Sequence, residues 1–118
     1  MRGAKTLCLV ALVLMVGCAT PVPETGAPCE SDGPESLKPE TFSSIHIGMT
    51  RAQVERVLGK QKYSPIDGQD YFSTPGRCEV DPEHMAPCGY VIEYRDFSKD
   101  PAKDTGRVMS CSWGGVGE

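Results

Sequence analysis

Six cysteines, two histidines and a group of closely spaced carboxylates are the side chains of this 118-residue chain that could do chemistry. A cysteine can bridge, ligate a metal or attack as a thiolate, and its neighbours decide which. Cys78 and Cys88, with His84 between them and a carboxylate nearby, are the set to weigh as a zinc site. Structural zinc sites close through cysteine pairs about two to four residues apart, and nine residues separate these two. The spacing favours a bridge, and neither a metal nor a cofactor is expected. Glu79, Asp81 and Glu83 have the right side chains for acid–base work or cation binding, but a charge run on a loop is ordinarily solvated. No nucleophile elbow, no Ser-His-Asp arrangement and no glycine-rich phosphate loop after a strand can be assembled. No catalytic residue is expected, and the chain reads as a non-enzyme.

Cys18 has a different setting. Arg2 and Lys5 precede ten apolar residues, Leu7 to Val16, which end at Gly17 and Cys18. As a helix that run spans about 15 Å, half of a bilayer's hydrocarbon core. It is too short to anchor the chain, and its parts are those of a secretory signal. Met15-Val16-Gly17-Cys18 resembles the bacterial lipobox, with Met in place of the preferred Leu. The resemblance implies that residues 1–17 are a lipoprotein signal and that the Cys18 thiolate is alkylated with diacylglycerol. Its new amine is then acylated, with palmitate-type chains. Each buried methylene contributes about 0.8 kcal/mol, so two or three chains hold a small domain on a membrane. Ala19 after the cysteine implies an outer-membrane destination, with the chain facing the periplasm. The bland alternative is an ordinary signal cut near Ala19, with Cys18 discarded.

Charge points the same way. The chain has 12 basic and 16 acidic residues, net −4. Counted from Cys18 it loses Arg2 and Lys5 and keeps every acid, so the net charge becomes −6. Such a surface releases no counterions from nucleic acid and is repelled by anionic lipid. Nucleic acid is excluded as a partner, and contact with the membrane falls to the lipid.

Cys29, Cys78, Cys88 and Cys111 remain, an even number, which in an exported chain reads as two disulfides with three connectivities. Cys78 to Cys88 is the shortest closure, across a polar, proline-punctuated loop, and Cys29 with Cys111 follows by elimination.

The elements that must position these residues are short. From Thr20 to Pro39 the chain carries five prolines among acidic residues, so residues 18–39 read as the lipidated cysteine and an extended, largely unpacked linker. The domain is expected over 40–118. Thr50 and Gln53 form a capping box, Met49 and Val54 a hydrophobic staple, and Val54, Val57 and Leu58 one helical stripe ending at Gly59. Glu40 to Ile45 reads as a single preceding turn that presents Phe42 and Ile45. Gln69–Ser73, Tyr90–Phe97 and Arg107–Trp113 have strand periodicity. Pairing Ile92 with Cys111, Tyr90 with Trp113, Tyr94 with Met109 and Arg95 with Val108 places the first six on one apolar face. Val91, Glu93, Arg95, Val108, Ser110 and Ser112 then face outward. The expected fold is α+β, two short N-terminal helices packed on a three-stranded antiparallel sheet.

The stretch Ile45 to Gly59, reading Ile-x-Ile-Gly-Met-Thr, then Gln-Val and Val-Leu-Gly, resembles the signature of the SmpA/OmlA (BamE-like) small outer-membrane lipoproteins. The resemblance implies a lipidated arm, the ααβββ fold and a place in β-barrel assembly or envelope integrity. Two functions from different classes follow. The first is a protein-binding accessory lipoprotein whose envelope partner, a barrel-assembly component under this resemblance, is met through His46, Arg51 and Glu55 beside the helix start. The second is a periplasmic inhibitor or ligand-binding module presenting the Cys78–Cys88 loop with His84 and Met85.

Overall fold

The computed structural model describes residues 26–60 and 62–116. The expected signal and Cys18 lie outside them. The helix forms where its caps place it. Thr50 Oγ1 accepts from the Gln53 amide at 3.1 Å and Gln53 Oε1 accepts from the Thr50 amide at 2.9 Å, which starts α1, Arg51–Leu58. Met49 and Val54 are buried as the staple requires, and Val57 and Leu58 pack against the core from its margin. Gly59 ends the helix at φ +91°, a conformation in which a side chain would be strained.

The expected first helix is a correction. Glu40–Ser44 is a five-residue 3-10 turn entered from Pro39, and a shorter one covers Glu35–Leu37. Its bonds run three residues back, Phe42 to Pro39 and Ile45 to Phe42, and Ile45 is already extended. Proline on one side and an extended, fully buried isoleucine on the other leave no room for a second α turn.

The sheet is larger than the three strands expected. Its strands are β1 (Glu30–Ser31), β2 (Tyr63–Ile66), β3 (Gln69–Asp81), β4 (His84–Glu93) and β7 (Ser110–Gly115), in the order β1-β7-β4-β3-β2. β1 runs parallel to β7 and every other neighbouring pair is antiparallel. A separate ribbon pairs β5 (Arg95–Asp96) with β6 (Lys103–Asp104). Among the described residues the molecule is therefore mostly β, with one α-helix, and not the two-helix, three-strand arrangement.

Three local causes account for the difference. Asp67-Gly68 closes a two-residue turn between Ile66 and Gln69, adding β2, and Gly68 takes φ +89°. The presumed loop between Cys78 and Cys88 is a hairpin whose strands stay paired up to Asp81 and His84, after a bulge at Thr74-Pro75-Gly76. The stretch expected as an unpacked linker belongs to the fold from Gly26 onward. Pro28 bridges His46, Cys29 is buried, and β1 pairs with the last strand.

The central register is as the alternation dictates, with Tyr90 opposite Trp113 and Ile92 opposite Cys111. Beyond Glu93 the two strands part. Val108, expected to face outward, is fully buried, because its amide donates to the Met49 carbonyl and its own carbonyl accepts from Gly48, which draws it beneath the helix start. Met109 is exposed instead, and Arg95 pairs with Asp104. Phe72, Tyr90, Ile92, Cys111 and Trp113 form the inner face against Ile45, Met49 and Val54. Each such side chain contributes about 1.5–3 kcal/mol on burial. Cys29 bridges Cys111 with Cα atoms 4.7 Å apart, and Cys78 bridges Cys88 at 5.1 Å. Among the described residues no helix is long and apolar enough to cross a membrane.

Candidate functional site

Three surfaces carry the chemistry-bearing side chains. At the helix start, α1 presents Arg51 to the ends of β3, β4 and β6. Its Nη2 donates to Asp104 Oδ2 at 2.6 Å, its Nε lies 3.9 Å from Asp70 Oδ2, and its guanidinium stacks 4.1 Å from the centre of the Tyr94 ring. Burial works against the Arg51 charge, but the Asp104 hydrogen bond and the nearby anions outweigh it and raise its pKa. Burial likewise pushes Asp104 upward, and Arg51 with the Gly106 amide more than reverses this, holding Asp104 below its ordinary value. Asp70 accepts from Ser64 through Oδ1, while its buried Oδ2 and the buried Tyr94 hydroxyl have no hydrogen-bond partner among the described residues. Burial, then the Asp70 charge, raise the Tyr94 pKa well above that of a free phenol.

Arg51 and Glu55 thus lie one turn apart on α1, each already in an ion pair, Glu55 with Lys62 at 3.1 Å. His46 lies in the preceding turn, half-buried. Its amide donates to Met49 Sδ at 3.3 Å, and its ring Nδ1 is 3.3 Å from the Ile47 carbonyl oxygen. The structure does not gather the three around one point. Arg51 is held by β-strand carboxylates, and His46 is bound to the N-terminal segment through Pro28.

The second surface is the tip of the β3–β4 hairpin. Asp81 accepts from the Glu83 amide at 2.8 Å and contacts His84 Nδ1 at 2.7 Å, and these bonds, the amide's first, lower its pKa. Val80 and Met85 are exposed beside them, and the Cys78–Cys88 bridge closes the base of the arm. His84, the first residue of β4, is solvent-facing.

The third surface was not expected as a site. It is the sheet face opposite the core, where two depressions adjoin. One, of about 490 Å³, is lined by Asp32, Glu79, Asp81, Val91 and Ser112 around the facing glycines Gly89 and Gly114. The other, of about 390 Å³, shares Val91 and Ser112 and adds Glu30, Ile47, Glu93 and Met109. Glu93 is held by Arg95 Nε at 2.6 Å and Gln69 at 2.9 Å. Burial pushes its pKa upward and the Arg95 bonds override it, leaving it lowered. Sequence reading placed Val91, Glu93, Ser110 and Ser112 on this side. It missed Glu30 and Asp32, which fell in the presumed linker, and Glu79, which fell in the presumed loop. Cys29 was the available signal, since a cysteine bridged to the last strand carries its neighbours with it. Comparison of this chain with protein-family models, with curated proteins and with solved structures returns no match.

Proposed function

We propose that this chain is an exported, non-catalytic envelope lipoprotein, tethered at Cys18 to the outer membrane and facing the periplasm. It acts by binding another envelope protein, in β-barrel assembly or envelope integrity as its resemblance to the SmpA/OmlA group implies. The observation that supports this best is the pairing of the cysteines. Cys29 with Cys111 and Cys78 with Cys88 use all four that follow Cys18. Two bridges in a small domain fit an oxidising compartment, and they leave the thiol of Cys18 for the thioether. Cys29 is only eleven positions beyond Cys18. An extended chain of that length reaches at most about 40 Å, which keeps the domain near the bilayer surface.

His46, Arg51 and Glu55 remain the contact candidates at the helix start. The full-length protein, cross-linked in cells and captured from detergent-solubilised membranes, is expected to bring down barrel-assembly components. Capture of none of them removes that part of the reading.

The alternative, a periplasmic inhibitor or ligand-binding module, is favoured by one feature, the disulfide-stapled hairpin with Val80 and Met85 exposed at its end. Under it, replacing His84 and Met85 with alanine abolishes capture while Arg51→Ala and Glu55→Ala preserve it. The accessory reading expects the reverse.

A further inference from the structure

We infer that the outer face of the sheet is a docking groove for an extended, basic segment of a partner protein. The inference rests on the protein-binding reading and names the surface and the partner's chemistry. The two depressions share Val91 and Ser112, so they adjoin as one trough across β4, β7 and β1. Gly89 faces Gly114 across the ladder, and Val116 and Asp32 pack closely over them as one end wall of the trough, which leaves Val91 and Ser112 as its middle. Val91, Ile47 and Met109 supply apolar floor. Six register pairs, Cys88 with Gly115 to Glu93 with Ser110, set its length. At the rise of a β-strand that is about 17–20 Å, the span of some six extended residues.

The charge around this floor has one sign. Glu30 and Asp32 come from the β1 side, Glu79 and Asp81 from the hairpin arm, and among the described residues no lysine or arginine lines either depression. Glu93 is neutralised by Arg95, whereas Glu30, Asp32 and Glu79 form no ion pair among the described residues. An extended segment alternating cationic and aliphatic residues places its aliphatic side chains on the floor and its cations against the rim, because successive side chains of a strand point to opposite sides. An anionic segment is repelled by the same carboxylates.

The test uses the full chain and a fluorescent peptide of about ten alternating lysines and valines, followed by anisotropy. The expected result is binding of this peptide, weakened about tenfold or more between low and high salt, and none of a glutamate–valine counterpart. Asp32→Lys with Glu79→Lys is expected to weaken binding at least about tenfold. Glu35→Lys with Glu40→Lys makes the same net charge change on the other side of the molecule and is expected to leave binding within about twofold. Equal weakening by both pairs would reduce the effect to net charge and overturn the groove. So would absence of binding, displacement of the peptide by calcium alone, or exclusion of the peptide by a dimer of this chain in sedimentation. If the Asp32/Glu79 variant still captures the envelope partner from membranes, the groove is wrong and the protein-binding reading stands. If neither variant nor parent captures any envelope protein, the protein-binding reading itself fails.

Discussion

Arg51 is the residue on which most local structure depends. It is the cation nearest the buried Asp70 carboxylate, it hydrogen-bonds Asp104, and it covers the Tyr94 ring. Removing one member of a buried pair leaves the other charge unsolvated. With about a third of the Arg51 side chain still exposed, Arg51→Ala is expected to cost about 1–2 kcal/mol by urea unfolding. Arg51→Lys should recover only part of it, because an ammonium lacks the planar fork and the stacking face. The Tyr94 hydroxyl is buried without a partner among the described residues, so Tyr94→Phe removes a desolvated group and keeps the ring. That variant is expected to be as stable as the parent or more so, by up to about 1 kcal/mol. Asp104 and Glu93 both have folded-state pKa values below their ordinary ones. Their contribution is present above the unfolded carboxylate range and is lost as pH falls through the lower folded values. Urea midpoints should therefore drop below about pH 4, and the part due to Asp104 should be smaller in Arg51→Ala, where only the Gly106 amide still holds that carboxylate.

At the scale of elements, what could be read in advance had a local cause. The Thr50–Gln53 box fixes where α1 begins, and Thr50→Ala is expected to cost about 1 kcal/mol in the same unfolding measurement. The pairing of Tyr90 with Trp113 followed from alternation, since a slip of one residue would turn the indole to the charged side. The rest was hidden by composition. Proline and acidic residues around Cys29 resemble a tether, yet Glu30–Ser31 needs only two residues and a covalent pin to become a strand. Thr74-Pro75-Gly76 looks like the end of a strand, but β3 passes through it as a bulge. Asp67-Gly68 was a legible hairpin signal, weakened by Pro65 in the strand before it. The two bridges should differ in worth. They close sequence separations of 82 and 10 residues, for which loop entropy gives about 4.5 and 2.7 kcal/mol. Cys29→Ser with Cys111→Ser is therefore expected to lower the melting temperature more than Cys78→Ser with Cys88→Ser.

On the scale of the whole molecule, the domain has one face committed to its core and another facing solvent, ringed by carboxylates, and its N-terminal segment is bridged to its last strand. Beyond Cys18 the chain carries a net charge of −6, so it has no electrostatic attraction to anionic lipid. The account accordingly needs the acyl group to do the anchoring and the folded part to do the binding. The anchoring depends on what happens at Cys18, and intact-mass analysis of the protein extracted from membranes reads that directly. The expected mass begins at Cys18, carries a diacylglyceryl group with or without a third acyl chain, and is four hydrogens lighter than the reduced chain. An unacylated mass, or one beginning at any other residue, would contradict the account.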